Sequence, residues 1–207
     1  MANIDGYESH DRYAANGLDL NRDQTKLMAK ESVCLKQAFS DFGPHVALDL
    51  HEYRPFRRDF TLLGSYGVTN YYDVMFLYSG NLNVPKEIRE FTQSAFVQPA
   101  VRILDGYDYH SHDYFSTHKV HGEIQFKQGS NNSRSSATSY ALSHCISSLI
   151  EIRGVGIGKT SFQRRVHSSY LVAMSYLTSA YKQRAELFGL LSYNEQTQLR
   201  DSVIVES

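Results

Sequence analysis

Apolar positions recur at helical spacing from Gln24 to Phe42, with Leu27, Met28, Leu35 and Phe39 in step. The period predicts an amphipathic helix that Gly43-Pro44 stops. The run from Val46 to Leu50 is short and nearly continuous in apolar residues, the pattern of a central strand covered on both faces. A second helix spans Pro85 to Leu104, opened by Pro85 in its first turn and kinked at Pro99. Ser135 to Leu142 reads as a short helix and Ile146 to Ile152 as a second buried strand. A long helix runs from Ser161 to about Leu191, with Val166, Tyr170, Met174, Leu177 and Tyr181 on one apolar face.

The intervening text is less periodic. Residues 3–23 are rich in Asn, Asp and Gly and read as a structured loop. Tyr53 to Asn83 is aromatic and irregular, and residues 105–134 hold a Tyr/His/Asp-rich stretch that ends in the polar run Gln128 to Arg134, a loop signature. One or two further strands fit within 53–83 and 114–126. Strands alternating with helices indicate a layered α/β fold, and with no repeat or linker the 207 residues read as a single domain.

Charge removes several function classes. The 21 basic and 22 acidic residues nearly cancel, and Arg54, Arg57 and Arg58 are too few and too isolated for a nucleic-acid groove. No apolar run reaches the ~18–20 residues that a membrane span needs. Two cysteines cannot build a disulfide framework, and Cys34 in a helix and Cys145 at a strand entrance read as buried free thiols. The start MANIDGYESHD lacks the charged and apolar segments of a signal peptide. It implies a cytoplasmic protein if Met1 is the natural start, and a secreted or periplasmic one if the chain is part of a longer precursor.

Candidate chemistry gathers at strand ends. His51 lies just past VALDL, between Asp49 and Glu52 in sequence, where ligands and metals collect in open α/β sheets; a neutral imidazole there reads as a metal ligand. Glu151, flanked by Ile150 and Ile152, is a carboxylate that is costly to bury unpaired. It reads either as a general base or as half of a salt bridge to a neighbouring arginine such as Arg153. Asn21-Arg22, after Asp19, pairs an amide with a guanidinium fork suited to gripping a carboxylate, and Arg12 offers a second cation in the same loop. His118, His121 and Glu123 have a possible ligand spacing but read better as part of an aromatic, polar surface loop.

Taken in order, these motifs resemble the zinc carboxypeptidase (funnelin) family. Asn3-Ile4-Asp5-Gly6 is similar to its NPDG segment, and Arg12, Asn16, Gly17, Asp19, Asn21 and Arg22 match its characteristic loop. DLHE matches the strand of the third zinc ligand, and LIEIR the strand of the catalytic glutamate. The resemblance implies a three-layer α/β/α fold with a mixed, mostly parallel central sheet. It also implies one zinc ion held in part by His51, with Arg12 polarising the scissile carbonyl. Asn21 and Arg22 would hold the C-terminal carboxylate of a peptide or amino-acid derivative, and Glu151 would serve as base and then acid. The family's pocket wall falls around Arg134-Ser135-Ser136, so Arg134 is expected to favour acidic side chains. The family's first zinc ligands lie in an HxxE motif upstream of the NPDG segment, and no HxxE occurs in these residues. That implies the C-terminal portion of the catalytic domain, with the N-terminal strands absent. Two further readings stand beside a metallocarboxypeptidase. One is an N-acyl-amino-acid deacylase of the succinylglutamate desuccinylase/aspartoacylase type, and the other is a truncated, inactive protein that binds carboxylates.

Overall fold

The computed structural model describes residues 17–56, 65–129 and 131–196. The segment Asn3-Ile4-Asp5-Gly6 and Arg12 lie outside the described residues. A single 3₁₀ turn, Leu20–Arg22, precedes helix α1 (Lys30–Phe42) and strands β1 (Val46–Tyr53) and β2 (Val74–Tyr78). There follow α2 (Lys86–Phe91), a π turn (Thr92–Val97), α3 (Gln98–Gly106), β3 (Ser111–Asp113), β4 (Phe115–Val120) and β5 (Glu123–Gln128). The remainder is α4 (Ser136–Ala141), β6 (Ile146–Arg153), α5 (Phe162–Lys182) and α6 (Arg184–Gln196).

Four strands form one sheet in the order β1-β6-β2-β3, and β4 and β5 form a separate antiparallel pair. The β1–β6 and β2–β3 pairings are parallel, and β2 runs antiparallel to β6. Ile146, Ile150 and Ile152 of β6, with Val74 and Phe76 of β2, face a core closed by Ile88, Phe96, Leu104, Val172, Tyr176 and Leu187. On the other face, Phe39 of α1 stacks on Tyr140 of α4, and Lys36 donates to Ser139 at 2.9 Å. Helices therefore cover both faces of a mixed sheet, the three-layer α/β/α architecture that the motif order implies.

Several elements differ from the periodic reading. The central strand is β6, buried nearly throughout, whereas β1 lies at the edge of the described sheet and leaves Leu50 48% exposed. Helix α1 begins at Lys30 rather than near Gln24 because Asp23 caps it from a distance. The Asp23 carboxylate accepts the amide protons of Met28 at 3.0 Å and of the N-cap Ala29 at 2.8 Å, fixing the chain just ahead of the first turn. Gly43 ends the helix in the left-handed region, with its N–H on Phe39 O, as expected for a glycine before proline. Cys34 is exposed; only Cys145 is buried.

The apolar stripe of α5 points away from the sheet. Phe162, Val166, Tyr170, Met174, Leu177 and Tyr181 are all exposed, and the buried face carries Ser168, Leu171, Val172, Ser175, Tyr176 and Ser179. Small hydroxyl residues let this helix approach β6 closely, where Tyr176 Oη donates to Ser148 Oγ at 2.9 Å. An apolar count misses this face because half of its residues are serine. The predicted single terminal helix is two helices broken at Gln183, and the kink expected at Pro99 takes the form of the π turn just upstream. Proline brings no N–H to the ladder, and the wider turn absorbs that mismatch.

Gly154, just past β6, has no room for a side chain: a Cβ there would sit 2.4 Å from the Glu52 carboxylate. Arg165 of α5 holds that carboxylate through Nε at 3.0 Å and Nη2 at 2.6 Å, so Glu52 cannot easily yield. Gly154→Ala is therefore expected to destabilise the fold by about 1–3 kcal/mol, the usual range for overpacking, measurable by urea denaturation. Burial raises the Asp23 pKa, but the amides of Ala29 and Met28, with Ser32 and Lys26, more than offset this and hold it below the ordinary carboxylate value. A depressed folded pKa stabilises above the unfolded pKa and is lost as pH falls through the folded one. Asp23→Asn should accordingly cost about 1 kcal/mol at neutral pH. The difference in Tm from the parent should shrink as the pH falls below the ordinary carboxylate range and through the lowered pKa of Asp23.

Candidate active site

Strand register brings the two sequence-predicted strand-end residues together. In the parallel β1–β6 pair His51 is the direct partner of Glu151, and both lie on the sheet face toward α4. Side chains alternate along a strand, so Asp49 shares this face with His51 while Glu52 points the other way. The ion pair between Glu52 and Arg165 removes Glu52 from any role beside His51. Met75 of β2 lies opposite Glu151 on the far side of β6. Glu151 is half-buried, with its Oε2 atom shielded from solvent. Arg153 Nε donates to Asn70 O at 3.2 Å.

His51 Nε2 meets Asp49 Oδ2 at 3.0 Å, and the Ser136 hydroxyl donates to the same oxygen at 2.6 Å. Burial lowers the His51 pKa, but the hydrogen bond and charge of Asp49, with Glu151 and Asp19 farther off, outweigh it and raise the pKa above its ordinary value. Burial likewise raises Asp49, and His51 and Ser136 bring it below the usual carboxylate range. Ser136 faces Asp49 and not His51, so this is no serine nucleophile paired with a base.

The Asn21-Arg22 loop reaches the same cluster. Asp19 accepts the Asn21 amide at 3.0 Å and shapes the 3₁₀ turn. Asn21 Oδ1 accepts the Ser136 N–H at 2.9 Å, which directs the Nδ2 donors away from α4. The neighbouring Arg22 is exposed and bonds Asn21 O at 2.7 Å through Nη1. Gln24 N donates to Arg134 O at 3.2 Å, tying the Asn21-Arg22 loop to the turn before α4. Arg134 is exposed on that turn. Tyr140 is fixed by its stack on Phe39 and is not part of a loop.

The sequence pointed to His51, Glu151, Asn21, Arg22 and Arg134, placed Ser136 only in the expected pocket wall, and left Asp49 without a role. The period-2 relation of Asp49 to His51 was a usable signal for Asp49. Nothing local pointed to the bonds that Ser136 makes, whose partners lie 115 and 87 residues away. His118, His121 and Glu123 fall in the β4–β5 hairpin, with His121 at its turn. Among the described residues no three His, Cys, Asp or Glu side chains converge to hold a metal ion. His51 is one imidazole donor, and a catalytic zinc takes three protein ligands, so the described residues do not make up a zinc site by themselves. Among them, too, no helix is long and apolar enough to cross a membrane.

Comparison with known proteins agrees with the fold. No family model matches the chain. It is similar to carboxypeptidase 2 of Trichophyton rubrum, 27% identical over 195 residues, which is 91% of this chain and 35% of that protein. A probable carboxypeptidase 2 of Arthroderma benhamiae is 26% identical over 190 residues, 91% of this chain and 36% of its own. The chain thus spans about a third of the length of the curated relatives it matches. A metallo-carboxypeptidase from Pseudomonas aeruginosa, solved in complex with (2-guanidinoethylmercapto)succinic acid, shares the fold with a TM-score of 0.51 and 17% identity, over 85% of this chain and 42% of that one. Sequence similarity to these fungal carboxypeptidases runs along nine-tenths of this chain, and its α/β sheet has the fold of the metallo-carboxypeptidase.

Proposed function

We propose that this chain carries the substrate-carboxylate clamp and the proton-transfer carboxylate of a zinc-dependent metallocarboxypeptidase, which hydrolyses the C-terminal peptide bond. The observation that carries the reading is the convergence of three elements on one sheet face: the register pair His51 and Glu151, and the Asn21 loop joined to them through Ser136. Asn21 Nδ2 and the Arg22 fork bind the terminal carboxylate by charge-assisted hydrogen bonds. Arg134, on the adjoining turn, favours an acidic side chain on the terminal residue. Glu151 takes a proton from water as the oxygen adds to the scissile carbonyl carbon, and returns it to the leaving amine as the C–N bond breaks. Arg12 steadies the developing oxyanion. The family's zinc chemistry needs donors besides His51.

A second reading, that the chain binds carboxylates without hydrolysing them, is favoured by the lack of a three-donor cluster among the described residues. Two measurements bear on these readings. Isothermal titration of N-acetyl-Ala-Glu should show binding that is lost when the terminal carboxyl is amidated and weakened about tenfold or more by Arg22→Ala, ~1.4 kcal/mol. Equal binding of acid and amide would sink the clamp. Metal analysis and an assay for released glutamate on purified 1–207 separate hydrolysis from binding. Less than one zinc per chain and no release support the binding reading, while one tightly held zinc with release rules it out.

A further inference from the structure

Ser136 bonds both to the Asn21 loop and to Asp49, the hydrogen-bond partner of His51. Its N–H belongs to the first turn of α4, a donor without a partner inside the helix, and Asn21 Oδ1 accepts it at 2.9 Å. Its hydroxyl, on the same residue, donates to Asp49 Oδ2 at 2.6 Å. Asp49 in turn holds His51 Nε2 at 3.0 Å. Ser136 is 3% exposed and packed against β6, so it has little freedom to move without disturbing one of these bonds.

From this geometry we infer that Ser136 and Asp49 are positioning residues, which couple occupation of the carboxylate clamp to the orientation of the His51 imidazole. A terminal carboxylate that draws on Asn21 Nδ2 pulls through Asn21 Oδ1 on the Ser136 backbone. The Ser136 hydroxyl passes that displacement to Asp49, and Asp49 fixes the ring by its hold on Nε2. With Nε2 engaged, Nδ1 is the ring nitrogen turned to ligand chemistry. The carboxylate end of the substrate would then help to aim the histidine at the reacting end. The helix contributes no charge effect to this coupling. It works as a short rigid body with one contact on each side.

This inference rests on the clamp assignment proposed above, and one experiment separates the two. Histidine-selective ¹⁵N NMR on 1–207 is followed during titration with N-acetyl-Ala-Glu, while binding is read independently by calorimetry. The expected result is a saturable change in the His51 ring ¹⁵N shifts that tracks occupancy. Ser136→Ala keeps the N–H to Asn21, so binding should stay within about twofold of the parent, a change of under ~0.5 kcal/mol, while the His51 response falls at least fivefold. Ser136→Thr restores the hydroxyl and should restore the response. Asp49→Asn breaks the same path from its other end, and serves if Ser136→Ala does not fold. Binding with no His51 response, or a full response in both variants, overturns the coupling and leaves the clamp intact. Absence of binding in the parent overturns the clamp, and the coupling with it.

Discussion

The parallel pairing of β1 with β6 is the interaction on which the rest of the site depends. It sets His51 against Glu151 and Asp49 against Leu149, so three chemistry-bearing side chains reach one face from strands about a hundred residues apart in sequence. A slip of one residue would turn His51 to the opposite face, where Glu52 now meets Arg165. Register is held on both sides of the sheet. Beneath it, Ile146, Ile150 and Ile152 lock β6 into the helical core. Above it, Ser136 bonds to Asp49.

Half-buried ionisable groups are costly, and the structure offsets the cost locally. Asp49 and His51 stabilise each other's charged form, and Ser136 adds a donor to the same carboxylate oxygen. The loop around Asn21 uses the same economy. Asp19 shapes the turn, Asp23 caps α1 from a distance, and Asn21 caps α4 from outside the helix. Three polar residues within five positions thus tie a loop with little apolar content to two helices.

Much of this was legible in the sequence. The DLHE and LIEIR runs gave both site strands, because a parallel pair buried beside helices leaves an apolar run whichever neighbours it has. Asn21-Arg22 stood out through its side-chain chemistry, and the structure sets Asn21 against the first turn of α4. Three things were not legible. The exposed stripe of α5 has the stronger apolar period, and its packed face hides behind Ser168, Ser175 and Ser179. The edge position of β1 depends on which strands pair with it, which periodicity does not encode. The role of Ser136 exists only through contacts long in sequence, on either side of a short helix that a Ser/Thr/Ala run barely announces.

The central claim is that a terminal carboxylate bound at Asn21 and Arg22 lies on the same sheet face as His51 and Glu151. Chemical-shift mapping of uniformly labelled protein during titration with N-acetyl-Ala-Glu tests it directly. The account predicts one contiguous patch of perturbed resonances covering Asn21, Arg22, Ser136, His51 and Glu151. Perturbations centred instead on the β4–β5 hairpin or on the exposed stripe of α5 would contradict it.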